Sequence, residues 1–245
     1  LSATVIRVTS AMVAVWILAS AERAVPETLG ALRDRRATAF RAGGTQEQTD
    51  WIASGSKFHT DGYRQHSSAD RDQFNTKIAL GLGAGASLTL VANYLNGPDA
   101  QDPLGLTRAQ MNADPRQVAA TALTFDTRKS LRQSQAGAVY ADRWGDWTLN
   151  ASVYGGHRDV RQYLAIPLTP TGQLAATSSG GVVDLDRGFG GGALRLTRDA
   201  SLLGRPFTLN IGTEYETMDE RRKGYLNNNG SLTTLKRNED DDVTA

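Results

Sequence analysis

The extended segments of this chain are joined by connections that alternate strictly between short and long, and no single motif constrains the fold as much. Apolar and polar residues alternate with period two in four clear stretches. Phe74, Thr76, Ile78, Leu80 and Leu82 oppose Asn75, Lys77, Ala79 and Gly81, and Leu88, Leu90, Ala92 and Tyr94 oppose Thr89, Val91 and Asn93. Trp147, Leu149, Ala151 and Val153 oppose Thr148, Asn150, Ser152 and Tyr154, and Phe207, Leu209, Ile211, Thr213 and Tyr215 oppose Thr208, Asn210, Gly212, Glu214 and Glu216. Weaker alternation marks 37–44, 51–59, 132–143 and 182–197. Short connections fall near 45–50, 83–86, 144–146 and 199–205, long ones near 60–71, 96–131, 158–181 and 217–237. An antiparallel meander puts successive connections at opposite ends, so one end carries tight turns and the other long loops. Membrane barrels are built this way, whereas structureless connections of this length are uncommon in a soluble domain. The expected fold is all-β: an antiparallel transmembrane β-barrel segment, about eight strands of a larger barrel.

The two faces of the strands support the same reading. Trp147 and Phe207 begin strands just after short turns, while Phe74, Tyr94 and Tyr215 lie toward the long-loop end. Two levels of aromatics bounding an aliphatic band match the girdles of membrane barrels. Asn75, Lys77, Asn150, Ser152, Asn210, Glu214 and Glu216 would be costly in a dry core but not in a water-filled lumen. The apolar faces are therefore expected to meet lipid and the polar faces the lumen. A mean hydropathy of −0.39 looks soluble, yet barrels keep half of each strand polar, so the average excludes nothing. A net charge of +1 points to no nucleic-acid partner. The absence of cysteine rules out disulfides and thiolate metal sites.

No catalytic constellation is evident. His59, His66 and His157 lack metal-ligand spacing and are expected to be solvated near loops. The run GFGGGA at 188–193 lacks the strand–turn–helix context and the lysine of a phosphate loop, so close strand packing is expected there. NEDDDV at 238–243 lacks calcium-loop spacing and reads as a solvated charge run. The RRK at 221–223 and several arginines and tyrosines fall in the long-loop half, where guanidinium forks and phenol rings suit an anionic ligand. Tyr63, Arg64, Arg158, Arg161 and Tyr163 are the candidate ligand contacts. No catalytic residue, bound metal or cofactor is expected. An outer-membrane barrel enzyme would need a Ser/His/acid set on the barrel wall, and a soluble all-β binding domain would stay monodisperse without detergent.

Several stretches, taken in order, resemble the TonB-dependent siderophore receptors: SGSKFHTDGYRQHSSADRDQFNTKI (54–78), FDTRKSLRQSQAGAVYADRWGDWTLNASVYGGHRDVRQYLAIP (125–167), VVDLDRGFGGGALRLTR (182–198) and KRNEDDDVTA (236–245). The resemblance implies a barrel of roughly 22 strands with a plug inside it, embedded in outer-membrane lipid. It implies uptake of a ferric siderophore, the transported ligand, driven by TonB through an N-terminal region that this sequence does not contain. On this basis residues 1–10, with VIRVTS at 5–10, are expected to be a remnant of the plug end, with the plug otherwise essentially absent, and 37–245 a partial receptor barrel. Residues 11–36 form an atypical segment without period-two pattern. A reading-frame disruption restored near Arg41 is one expectation. A native helix or a signal-like stretch is the other, since Ala11–Ala21 is apolar, ends in Ala-Ser-Ala and follows Arg7. The 37–44 strand runs toward a short turn, so it is expected to be the second of the barrel, with the first lost.

Overall fold

The computed structural model describes residues 35–245 and, as backbone only, residues 14–18. Ten antiparallel strands form one sheet in which every strand pairs with its neighbours in sequence. They are β1 (Ala14–Leu18), β2 (Arg35–Gln46), β3 (Thr49–Thr60), β4 (Ala69–Gly83), β5 (Ala86–Gln101), β6 (Arg128–Trp144), β7 (Trp147–Tyr163), β8 (Val182–Leu202), β9 (Arg205–Asn228) and β10 (Ser231–Thr244). Two single-turn helices, α1 (Arg108–Ala113) and α2 (Ala120–Phe125), lie in the connection between β5 and β6. The first is held by a capping box between Thr107 and Gln110. Among the described residues no helix is long and apolar enough to cross a membrane, and the strands are the elements that carry the fold.

The register places each expected apolar set on one common face. One row runs Trp51–Ile78–Leu90–Ala138–Val153 from β3 to β7, and another runs Asp142–Leu149–Leu196–Ile211 from β6 to β9. Val153, Ile211 and Tyr215 are more than half exposed. A continuous exposed aliphatic face of this extent is a surface for lipid, not for water. The opposite face holds a run of cross-strand polar contacts. Asn93 donates to Asn75 (2.8 Å), Gln135 to Asn93 (3.3 Å) and Gln133 to Gln135 (2.9 Å), and Tyr154 bonds Glu216. On this face Tyr154 lies over Gly191 and Phe189 over Gly156, each aromatic on the glycine directly across from it. That is the close strand packing expected of the glycine run.

Short and long connections alternate from β2 to β9 as expected, with helices and turns filling the long ones. Two-residue turns at Ala84-Gly85 (φ 51° and 92°) and Leu203-Gly204 (φ 54° and 75°) have the doubly positive φ of a type I′ hairpin. The expected long connection at 217–237 is overturned. β9 runs unbroken to Asn228, turns at Asn229-Gly230 (φ 48° and 83°), and β10 returns along it. The acidic run at 238–243 therefore lies in a strand, where Asp240, Asp241 and Asp242 remain exposed as expected of a charge run. Glu239 and Asp240 stand across from Arg222 and Arg221 in the ladder, while the ion pairs formed there are Arg237–Glu239 and Arg221–Asp186. The sheet has ten strands, not eight, because β10 and β1 join it. β1 lies within the atypical segment and pairs with β2 (Ile17↔Phe40), so a strand stands where the first was expected to be lost; Arg35 and Arg36 of that segment begin β2, and its remainder, like the expected plug remnant at 1–10, falls outside the described residues.

Buried residues are scarce within the sheet, as befits a wall of one layer, and gather instead at its long-loop end. Ala122, Thr127, Gln173, Val182 and Asn227 are almost wholly enclosed there. His66, expected to be solvated, is enclosed at the same end, where its Nε2 meets the Thr127 carbonyl at 2.8 Å.

Candidate functional site

A strand shows alternate residues to opposite faces, so parity decides which side chains can share a site. Arg158 and Arg161 are three apart on β7 and face opposite ways. Arg158 continues the polar face of Asn150, Ser152 and Tyr154, whereas Arg161 and Tyr163 continue the face of Val153 beyond its apolar band. Tyr63 and Arg64 lie in the connection between β3 and β4. Arg116 stacks over the Tyr63 ring at 5.5 Å. The Arg64 guanidinium donates to the carbonyls of Gln117 (2.9 Å), Leu104 (2.6 Å) and Pro103 (3.1 Å), so its donors hold two loops together. Tyr163 carries Arg128 over its ring at 3.7 Å. The five candidates thus occupy the same end of the sheet without converging on one point.

Among the described residues, two hollows at that end bear on a ligand. The larger, about 550 Å³, is lined chiefly by the face of Arg161. Its side chains form rows of mixed charge: Arg132–Asp159–Asp186–Arg221, which cancels, and Arg161–Asp184–Lys223, which leaves one positive charge. Arg161 binds Asp184 at 2.7 Å and Arg221 binds Asp186 at 3.3 Å. The Asp184 carboxylate raises the pKa of Arg161 through their hydrogen bond, so the guanidinium stays charged and engaged. Among the described residues His157, Asp159 and Asp186 present ligand atoms close enough together for a metal ion. Arg221 already takes up Asp186, however, and Arg132 stands across from Asp159. Two guanidiniums beside the carboxylates oppose a cation there.

The smaller hollow, about 210 Å³, is on the polar face and has a different charge balance. Lys129, Arg158 and Arg187 line it together with Leu131, Val160, Gln162, Val183 and Leu185, and no carboxylate does. Arg158 and Arg187 are directly opposite each other on β7 and β8. Like charges so placed repel. Glu220, nearly buried on β9, accepts from Arg187 and neutralises it alone. Arg158 Nε is buried with no hydrogen-bond partner among the described residues. Cations, aliphatic walls and an unspent buried donor together suit an anion that also offers apolar surface.

Lys129 and Arg187 were missing from the expected set. Lys129-Ser130-Leu131 and Val183-Asp184-Leu185-Asp186-Arg187 do alternate. A cation at the end of an alternating segment is a usable signal, but which strands lie opposite is fixed by register.

Three solved structures share this architecture. The ferric citrate transporter FecA in the unliganded form aligns with a TM-score of 0.66 and 17% identity over 85% of this chain and 30% of that one. The ferripyoverdine receptor of the outer membrane of Pseudomonas aeruginosa, bound to ferripyoverdine, aligns with a TM-score of 0.62 and 14% identity over 85% of this chain and 32% of that one. The FpvAI–pyocin S2 complex gives 0.63 and 14% over the same shares. The fold is that of an outer-membrane receptor barrel. No protein-family model matches the chain, which spans about a third of the length of each of these chains. The receptor-barrel fold expected from the ordered motifs is borne out. In this fold the apolar face of the strands is the lipid surface and the polar face, with its cationic hollow, belongs to the lumen.

Proposed function

We propose that this chain forms the wall of an outer-membrane receptor that takes up a ferric siderophore, and that the hollow at Lys129, Arg158 and Arg187 contacts the anionic part of that chelate. The observation that carries the reading is the direct opposition of Arg158 and Arg187 on the polar face, with Glu220 on the far side of Arg187 pairing that arginine alone and a buried Arg158 donor left over. That arrangement stores repulsion which an anion relieves. FecA transports ferric citrate and the Pseudomonas aeruginosa receptor binds ferripyoverdine, and both have the same barrel fold. In this reading the receptor sits in outer-membrane lipid, and energy for uptake comes from TonB.

Tryptophan fluorescence of the purified receptor in detergent, titrated with a panel of ferric chelates and their iron-free forms, tests the reading. One ferric chelate should bind saturably. Arg158→Gln and Lys129→Gln together should weaken it at least about tenfold, or about 1.4 kcal/mol, without changing the amount of receptor in the membrane. Full affinity in the double variant would remove the hollow from the ligand site.

A further inference from the structure

We propose that Gln173 and Asn227 form a latch that holds the 164–181 connection at the rim of the cationic hollow and so controls entry to it. Both side chains are fully buried. The Asn227 backbone N–H donates to Gln173 Oε1 (2.7 Å), and Gln173 Nε2 donates to the carbonyls of Asn227 (3.0 Å) and Ile166 (2.6 Å). Asn227 Nδ2 donates to the carbonyls of Phe125 (2.8 Å) and Leu164 (3.3 Å), and its Oδ1 accepts from the Gly230 N–H (2.8 Å). Each amide oxygen and nitrogen of the pair is thereby satisfied. The bonds join three segments far apart in sequence: the β5–β6 connection, the β7–β8 connection and the tip of the β9–β10 hairpin.

The surroundings admit little slack. A Cβ on Gly181 would lie 2.6 Å from Gln173 Cδ and 2.7 Å from Asn227 Cβ, so the two amides meet against a bare backbone. A Cβ on Gly224 would lie 1.9 Å from the Ser179 carbonyl oxygen. The loop therefore crosses the polar face at Gly224, in the same cross-strand row as Lys129, Gln162 and Val183 at the edge of the hollow. Lys236 Nζ donates to the Leu174 carbonyl and Arg237 Nη1 to Ser179 Oγ, each at 3.2 Å, pinning the loop at two further points. The hollow itself is about 210 Å³, below the roughly 300–1,000 Å³ of pockets that hold drug-sized ligands. The loop does not line the hollow but lies over Gly224, directly across from the lining residue Val183, so its release would widen the hollow on that side. The latch sets how often the loop yields, which makes Gln173 and Asn227 positioning residues for the proposed site.

The ligand role of the hollow rests on the proposed function, so the test uses a probe that needs no siderophore. The chain has no cysteine, and Gln162→Cys places a single thiol at the hollow. Its modification in isolated outer membranes is timed with an anionic and a cationic methanethiosulfonate of similar size. Asn227→Asp keeps the size and the acceptor but loses both side-chain donations. Gln173→Ala removes the other amide. Each, added to Gln162→Cys, should raise both modification rates about fivefold to tenfold, the effect of unpairing one or two buried groups. A control thiol introduced instead by Asn150→Cys, on the same face but far from the loop, should react at an unchanged rate. Unchanged rates at the Gln162→Cys thiol in both latch variants overturn the latch, as does an equal rise at the control thiol, which would mean general loosening of the sheet. An anionic reagent no faster than the cationic one overturns the cationic-site reading and leaves the latch to be judged on the rise alone.

Discussion

Replacing Ile211 with arginine should destabilise the barrel far more than replacing its neighbour Asn210 with arginine. Ile211 is 59% exposed and lies four residues from Phe207 and four from Tyr215 along β9. At about 3.4 Å per residue and a tilt of about 40°, that places it roughly 10 Å from either aromatic level, near the middle of the apolar band. An arginine at that depth costs about 2–4 kcal/mol. Asn210 faces the lumen side, where its Oδ1 accepts from Thr197 Oγ1 at 2.7 Å in an exposed setting. Losing that bond costs about 0.5–1.5 kcal/mol, and the new charge stays in water. Urea titration of the receptor refolded into liposomes, followed by tryptophan emission, would give both values. Equal losses, or a larger loss at Asn210, would refute the assignment of the Ile211 face to lipid.

Arg187→Met should cost about 1–3 kcal/mol by stranding the nearly buried Glu220, and adding Glu220→Gln should recover most of it; a double-mutant cycle with no coupling would contradict this. Gly230→Ala should cost at least about 1 kcal/mol, because φ is +83° and the new Cβ would meet Asp126 Cβ at 2.7 Å, readable as a lowered urea midpoint. His59, beyond the apolar band near the β3–β4 connection, has its pKa raised above 6.5, first by the hydrogen bond to Asp70 (2.8 Å) and then by Asp61, against some desolvation. The raised pKa means that the tie between β3 and β4 is fully present below pH 6.5 and is lost as pH rises through the folded value. An NMR titration of the ring should show Asp70→Asn returning the midpoint toward 6.5, and no movement would detach His59 from Asp70.

The lipid and lumen faces were legible because alternation of Leu, Ile and Trp against Asn, Ser and Thr needs only one strand to be seen. β10 was not, although Asn229-Gly230 is a strong local hairpin signal. Its alternation is charge against charge, Asp240 and Asp242 on one face and Glu239 and Asp241 on the other, which hydropathy cannot separate. The site was legible in part. Arg158 can be placed on the polar face by counting from Ser152 along one strand. Its opposition to Arg187, the use of Arg64 to bind carbonyls 39 to 53 residues away, and the meeting of Gln173 with Asn227 depend on register and loop path. Those emerge only when separate strands are set side by side.

The sheet is one residue thick, and its odd and even positions answer to different media. A substitution at Leu149 is judged by hydrocarbon and one at Asn150 by water, so the two can change without consulting each other. Many sequences satisfy such a wall, since each position asks only for the right polarity on the right side. That freedom explains how 14–17% identity coexists with a shared barrel over 85% of the chain. It also means that the proposed ligand site at Lys129, Arg158 and Arg187 is free to change while the surface in contact with the membrane keeps its own course of change.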